Sequence, residues 1–377
     1  MKRNGGEHRP RGQTPPPARS NLGASRGFAA AGANPRPTIL AEITALQQAG
    51  RRGVLATPLW SLGSAPVGRT AKLLVRGDGT TVGTVGGGAL EAEVLRVAAE
   101  VGETSLPRLL EFDLNPSAAA ALGMICGGRC AIFVEAVRPD ANAEAFAAAE
   151  IAESMGESVA LITVIAGDAA RKMAVSADGR VVGSTGNAET DRALVREALD
   201  ALADGRSRYL EQPIKAHIEA ILPRPSVFIF GAGHIAVPLA HIAEMVGFAV
   251  TVVDDRADFA NRERFPTADA VMVAGAPDAF SALPIGEDDY VVAVTRGHVM
   301  DEEVVAGALR ARARYVGMIG SRRKVAQVRE RLRARGFSDD DLDRVHAPIG
   351  LDIGADTVEE IAVSIVAELI RERRGSS

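Results

Sequence analysis

The stretch Val227-Phe-Ile-Phe-Gly-Ala-Gly-His-Ile-Ala236 constrains the fold of this chain more than any other. Four apolar residues, two glycines one residue apart, and a helical pattern running to Met245 read as a buried strand that opens into a helix through a tight turn. Gly231 permits the turn, Gly233 permits close approach of a phosphate to the backbone, and the helix N-terminus favours an anion. Ala236 stands where a third glycine is common and His234 crowds the phosphate region, so a plain dinucleotide site does not follow. Twenty-three residues after Gly231 the next apolar run ends in Asp254-Asp255, the place of an acid that binds a ribose hydroxyl pair.

Short apolar runs at 249–253, 270–273, 290–294 and 315–318 continue the pattern, separated mostly by helical spacing. They predict parallel strands buried on both faces, hence a Rossmann-like doubly wound sheet over residues 226–374 of an α/β protein. Ligands of such sheets bind beyond the carboxyl ends of the strands, which brings Arg296 and His298 to the edge that carries the glycine turn. Arg322, Arg323 and Lys324 follow the last of these runs and converge on the same edge. The expected pocket is positive and suited to phosphate or pyrophosphate, although Arg323 alone reads more simply as a solvated helix position.

Pro223-Arg-Pro225 separates this region from a mixed α/β domain expected over residues 38–222. There the spacing predicts a helix at 39–46, a strand at 54–62, and a hairpin of 71–76 with 80–85 around Gly77-Asp-Gly79. A helix at 90–101 opens at Gly86-Gly87-Gly88, and strands follow at 108–114 and 130–137. Residues 173–187 align with residues 73–87 through six identities in fifteen positions: Val75/Val175, Asp78/Asp178, Gly79/Gly179, Val82/Val182, Gly83/Gly183 and Gly86/Gly186. A helical pattern follows each copy. Two readings stay open, an internal duplication and the shared chemistry of Asp-Gly hairpins. The triple glycine and Cys126 belong to the first copy alone.

Cys126 and Cys130 are the two cysteines of the 377-residue chain, which excludes a disulfide framework and suits a reducing cytoplasm. Cys126 precedes Gly127-Gly128, where a thiolate would ligate a soft metal or carry sulfur, or else pack as a small hydrophobe. Cys130 heads an apolar strand and reads as buried, and the pair lacks the ligands of a structural zinc site. The net charge is −5, and residues 1–37 hold seven Lys or Arg against one Glu, leaving −11 on the rest. That balance argues against nucleic acid or an anionic membrane as partner. No apolar run approaches the ~18 residues of a membrane span. Residues 1–37, rich in Pro, Gly and Arg, read as a disordered tail or a mis-assigned start.

These motifs together resemble the XdhC/CoxI family over about residues 40–374. Gly63-Ser-Ala-Pro66, Gly86-Gly-Gly-Ala-Leu-Glu91 and Cys126-Gly-Gly128 match its N-terminal motifs. Phe230-Gly-Ala-Gly-His234, Val252-Val-Asp-Asp-Arg256, Thr295-Arg-Gly-His298, Gly317-Met-Ile-Gly-Ser-Arg322 and Pro348-Ile-Gly-Leu-Asp-Ile-Gly354 match its Rossmann-like domain. The resemblance implies a cytoplasmic maturation factor rather than an enzyme. Such a factor binds the molybdenum cofactor (molybdopterin, with or without a nucleotide extension), protects it during sulfuration, and helps insert it into an apo molybdenum hydroxylase of the xanthine dehydrogenase type. A cysteine desulfurase is a second candidate partner, and a twofold homodimer is the default assembly.

The implied cofactor-binding set is Ser64, Gly86, Gly87, Gly88, Cys126, Gly127, Gly128, Gly231, Gly233, His234, Asp254, Asp255, Arg296, His298 and Arg322, with Cys126 the candidate molybdenum ligand or sulfur carrier. Some members carry Cys in place of Ala89, which leaves Cys126 as the one motif cysteine here. Two rival readings remain: an NAD(P)-dependent oxidoreductase, with NAD(P) or another nucleotide in the Rossmann-like domain, and sulfur transfer through a Cys126 persulfide. The cofactor is expected to bridge the two domains, its phosphate on Arg296, His298 and Arg322 and its metal at Cys126.

Overall fold

The computed structural model describes residues 38–63, 71–113, 128–165 and 170–375. The first part is built on an antiparallel sheet of β1 (Gly53–Gly63), β2 (Lys72–Arg76), β3 (Thr81–Thr84), β4 (Arg108–Asp113) and β5 (Gly128–Val137), in the order β3-β2-β1-β5-β4. Helix α1 (Ile39–Gln48) precedes it, and α2 (Gly88–Thr104) joins β3 to β4. Helix α3 (Ala143–Ser154) then leads into β6 (Val159–Val164), β7 (Arg171–Ser176), β8 (Val181–Gly183), α4 (Ala188–Asp204), β9 (Arg208–Leu210) and β10 (Ala216–Ile221). These strands order as β8-β7-β6-β10-β9, which repeats the first sheet strand for strand.

Strand periodicity explains how the two sheets stack. Val54 and Ala56 point to one face, where Leu90, Val94 and Val101 of α2 cover them; Leu55 points to the other, into a core shared with Ile43 of α1, Phe146 of α3, and Val159 and Leu161 of β6. The second sheet does the same, with Ala160, Ile162 and Val164 under Leu194, Ala198 and Ala201 of α4. Because both faces of each sheet are covered, β6 is buried throughout and β1 is buried from Gly53 to Leu59. Charge also crosses between the sheets: Lys172 Nζ lies 2.7 Å from Glu135 Oε1, and Lys72 Nζ lies 2.5 Å from Glu219 Oε1.

After Pro223-Arg-Pro225 the chain builds one parallel sheet in the order β13-β12-β11-β14-β15-β16, from β11 (Ser226–Phe230), β12 (Ala249–Asp254), β13 (Ala270–Val273), β14 (Tyr290–Ala293), β15 (Tyr315–Met318) and β16 (Val345–His346). This is the Rossmann order, with reversal between β11 and β14. Helices α5 (Ala236–Met245) and α10 (Val358–Arg374) pack on the face of Ile229, Val252 and Val292. Helices α6 (Ala276–Ala282), α7 (His298–Arg310), α8 (Arg322–Ala334) and α9 (Asp339–Asp343) cover the face of Phe228, Phe230 and Val291. Continuous apolar strands and two covered faces are what the sequence pattern predicts. No helix among the described residues is long and apolar enough to cross a membrane.

Helix α2 starts at Gly88, two residues before its expected start, so the third glycine of the run lies in its first turn. Periodicity gives no assignment for residues 138–165 and 205–222, where the structure has α3, β6, β9 and β10. In α3 alanines occupy nearly every face, so apolar spacing carries no phase.

Candidate functional site

The carboxyl edge of the Rossmann sheet is organised around Gly231. Its φ of +103° suits glycine, and a Cβ there would stand 2.6 Å from the carbonyl oxygen of Val294, so the turn closes directly onto the end of β14. Gly233, by contrast, faces open space, as does Gly297 at the start of α7. These are the backbone surfaces a phosphate could approach.

Asp254 ends β12 and is buried beneath this turn. Its carboxylate accepts from the Ala232 N–H (2.8 Å), the Arg256 N–H (3.1 Å), Arg256 Nε (2.8 Å) and Arg256 Nη2 (2.9 Å). Burial works to raise its pKa, but the Arg256 side chain and these amides outweigh burial and hold it at about 2. Asp255 is exposed, and its Oδ1 lies 3.6 Å from Arg296 Nη2 and 3.8 Å from Arg256 Nε. Expected site residues Asp255 and Arg296 are thus neighbours. His234 and Arg322 are exposed, and Arg322 and His298 open helices α8 and α7.

Lys324, read from sequence as part of the pocket, forms an ion pair with the fully buried Asp301. Asp301 also accepts from Thr295 Oγ1 at 2.7 Å. The group ties the end of β14 to the first turns of α7 and α8, and so fixes the backbone on either side of Arg296 and Arg322. It acts as a brace more than as a ligand donor.

In the first sheet, Gly86, Gly87 and Gly88 all have positive φ, and Gly87 caps α2 without a side-chain acceptor. Glu91 Oε2 holds the loop by accepting from Thr84 Oγ1 (2.5 Å), the Val85 N–H (3.2 Å) and the Gly87 N–H (3.3 Å), and the Thr84 hydroxyl bond is the leading cause of its lowered pKa. The second sheet has the same device in Asp191, which accepts from Ser184 Oγ (2.6 Å) and the Thr185 N–H (2.8 Å). There, however, Asn187 fills the helix start by accepting from the Glu189 and Thr190 amides.

Ser64, Cys126 and Gly127 lie outside the described residues. Gly63 and Gly128, which flank them, are partners on the last rung of the β1–β5 ladder. Lys72, the first residue of β2, pairs with Thr84 of β3, so the chain enters the Gly86–Gly88 loop at the end of the sheet to which β1 runs. Cys130 is buried in β5, and burial pushes its thiol pKa up, as expected of a structural cysteine.

Residues 227–369 match the family model described as the XdhC Rossmann domain, and residues 46–113 and 152–212 match that of the XdhC and CoxI family. The chain belongs to the XdhC and CoxI family. The two stretches matched by the second model run over equivalent elements, β1 to β4 and β6 to β9. Among its relatives, a probable xanthine dehydrogenase subunit of Bacillus subtilis is 26% identical over 332 residues, 88% of this chain and 96% of that protein. The uncharacterized protein YqeB of Escherichia coli is 29% identical over 264 residues, 65% of this chain, and the chain spans 47%, about half, of that longer relative. A crystal structure described as a xanthine dehydrogenase from Bacillus halodurans has a TM-score of 0.76 at 26% identity, covering 90% of this chain and 96% of that one.

Sequence reasoning misses Arg256, Asp301 and Glu91 as site residues. Arg256 carries a signal, a basic residue two positions after the terminal acid of β12. Asp301 and Glu91 carry the weaker signal of an acid in the first turn of a helix.

Proposed function

We propose that this chain is an accessory protein of a xanthine dehydrogenase-type molybdenum hydroxylase, which holds the anionic molybdenum cofactor as cargo before its insertion into the apo-enzyme. The observation that carries the reading is the match along nearly the whole of the Bacillus subtilis relative, both domains included. The described residues suit the phosphate end of such a cargo: Arg296 is exposed just before the uncapped start of α7, Arg322 is exposed at the start of α8, and Gly233 and Gly297 open onto free space. The soft end would fall to Cys126. Of the two cysteines, Cys130 is buried with a raised pKa, which leaves Cys126 as the thiol for molybdenum or its sulfur.

An NAD-dependent oxidoreductase reading loses Asp254 as its ribose acceptor, since every lone-pair position of Asp254 already receives an N–H from within the chain. The test is reconstitution. An apo-hydroxylase given molybdenum cofactor should recover activity faster and further when this protein is present; equal recovery without it would remove the accessory role.

A further inference from the structure

The end of β12 holds a side-chain arrangement that the accessory role leaves unused. In a dinucleotide-binding Rossmann fold the acid here accepts two O–H groups from a ribose diol. Two carboxylate oxygens offer about four lone-pair sites. Asp254 has four donors on them: the amides of Ala232 and Arg256, and Nε and Nη2 of Arg256. Asp254 offers a ribose diol no acceptor until Arg256 leaves, and the neighbouring Asp255 carboxylate is shared between Arg256 and Arg296.

Arg256 is held against leaving. Its guanidinium carbon lies 3.6 Å from the centre of the Phe259 ring, and Arg264 stands 4.8 Å from the same ring. The fork on Asp254 uses Nε and Nη2, so Nη1 takes no part in it. Arg296, more than half exposed at 57%, stands across Asp255 from Arg256. Asp255 Oδ1 sits between the two guanidinium groups at 3.8 and 3.6 Å, where an anionic oxygen of a ligand would sit once that exposed carboxylate turned outward.

We propose that this crevice rejects nucleotides that bring a free ribose diol to the end of β12 and takes ligands that bring a phosphate there, with Arg256 and Arg296 as its anion-binding pair. Guanidinium forks match phosphate oxygens as they match carboxylates. The inference stands on the crevice geometry and holds whether or not the chain carries a pterin. The same phosphate chemistry belongs to a 2′-phosphorylated dinucleotide and to the diphosphate of a nucleotide or pterin cofactor, and the choice of probes separates them.

The full chain is titrated with NADH, NADPH and inorganic pyrophosphate. NADPH should bind at least about tenfold tighter than NADH, a gap of ~1.4 kcal/mol, and pyrophosphate should displace it. Binding of pyrophosphate with neither dinucleotide supports the proposal and assigns the site to a diphosphate from another source. NADH binding as tightly as NADPH, or no binding of any of the three, overturns it. The Arg256→Ala variant should free Asp254, so that NADH gains affinity while pyrophosphate loses it. An unchanged preference in that variant also overturns the assignment, and the wild-type comparison decides the matter even if the variant does not fold.

Discussion

Lys172 Nζ lies 2.7 Å from Glu135 Oε1, with 1% and 2% of the two side chains exposed, and this pair crosses from the second sheet to the first. Thr163 Oγ1 accepts a second bond from the same ammonium at 2.8 Å. The Lys72–Glu219 pair crosses in the opposite sense, from β2 to β10, and burial fails to raise the Glu219 pKa because Lys72 lowers it. Lys72 and Lys172 precede matched positions of the two hairpins, so the sheets exchange equivalent charges. We propose that the second sheet is a duplicate of the first that serves as its partner.

Removing one member of a buried pair leaves the other uncompensated. Lys172→Met should destabilise the protein by roughly 3–5 kcal/mol, whereas Lys172→Met combined with Glu135→Leu should recover most of that loss. Denaturant titration of the three proteins checks this, and a double variant as unstable as the single would contradict it.

Acid should weaken the stacked sheets in a defined window. Burial pushes the His217 pKa from 6.5 down to about 4, against an opposing pull from Glu219 and with help from Lys72 and Lys172. The unfolded chain therefore takes up a proton below pH ~6.5 that the folded chain refuses until about 4, and stability falls by up to about 3 kcal/mol as pH drops across that range. Phe133 occupies the equivalent ladder position opposite Thr57, as His217 does opposite Thr163. His217→Phe should flatten thermal stability between pH 6.5 and 4, and an unaltered slope would show that another group titrates. Below pH 4 both proteins should weaken further, because, against burial, the Arg256 side chain and backbone amides hold the Asp254 pKa at about 2 and this carboxylate loses its stabilising charge as pH falls.

The two glycines of the β11–α5 turn should separate structure from binding. Gly231→Ala forces a Cβ against the Val294 carbonyl at positive φ and should destabilise by at least ~2 kcal/mol. Gly233→Val projects into open space and should leave the melting temperature nearly unchanged while weakening any phosphate ligand. Equal stability losses at both positions would mean that Gly233 is also a packing position.

The Rossmann half was legible because its signals are local: Val227 to Phe230, the two glycines and the Asp254 terminus follow one another in a strand, turn and strand. Even so, Asp254 reads as a ribose acid in sequence and is engaged by Arg256 in the fold, because which lone pairs are filled is decided by side-chain placement. In the first half, hairpins with Asp78-Gly79 and Asp178-Gly179 announced themselves through turn chemistry, with φ of +83° at both glycines. The stacking of the two sheets did not, because Lys172 and Glu135 lie 37 positions apart and nothing local pairs them. The brace of Thr295, Asp301 and Lys324 was hidden for the same reason, and its lysine looked like a ligand donor.

Cysteine chemistry should divide cleanly between Cys126 and Cys130. Cys130→Ala leaves a small cavity in the core of the first sheet and should cost about 1–2 kcal/mol without affecting cofactor retention. Cys126→Ala should leave the fold intact and weaken retention; molybdenum analysis after gel filtration distinguishes the two, and the reverse pattern would contradict the assignment.

On the proposed function the chain itself carries the molybdenum cofactor. Equilibrium dialysis of the purified full chain against released cofactor, followed by molybdenum and pterin analysis, tests this without any partner enzyme. Metal and pterin should accumulate together on the protein, and Arg296→Ala should reduce both. No accumulation of either above a control protein of similar charge would contradict the carrier role.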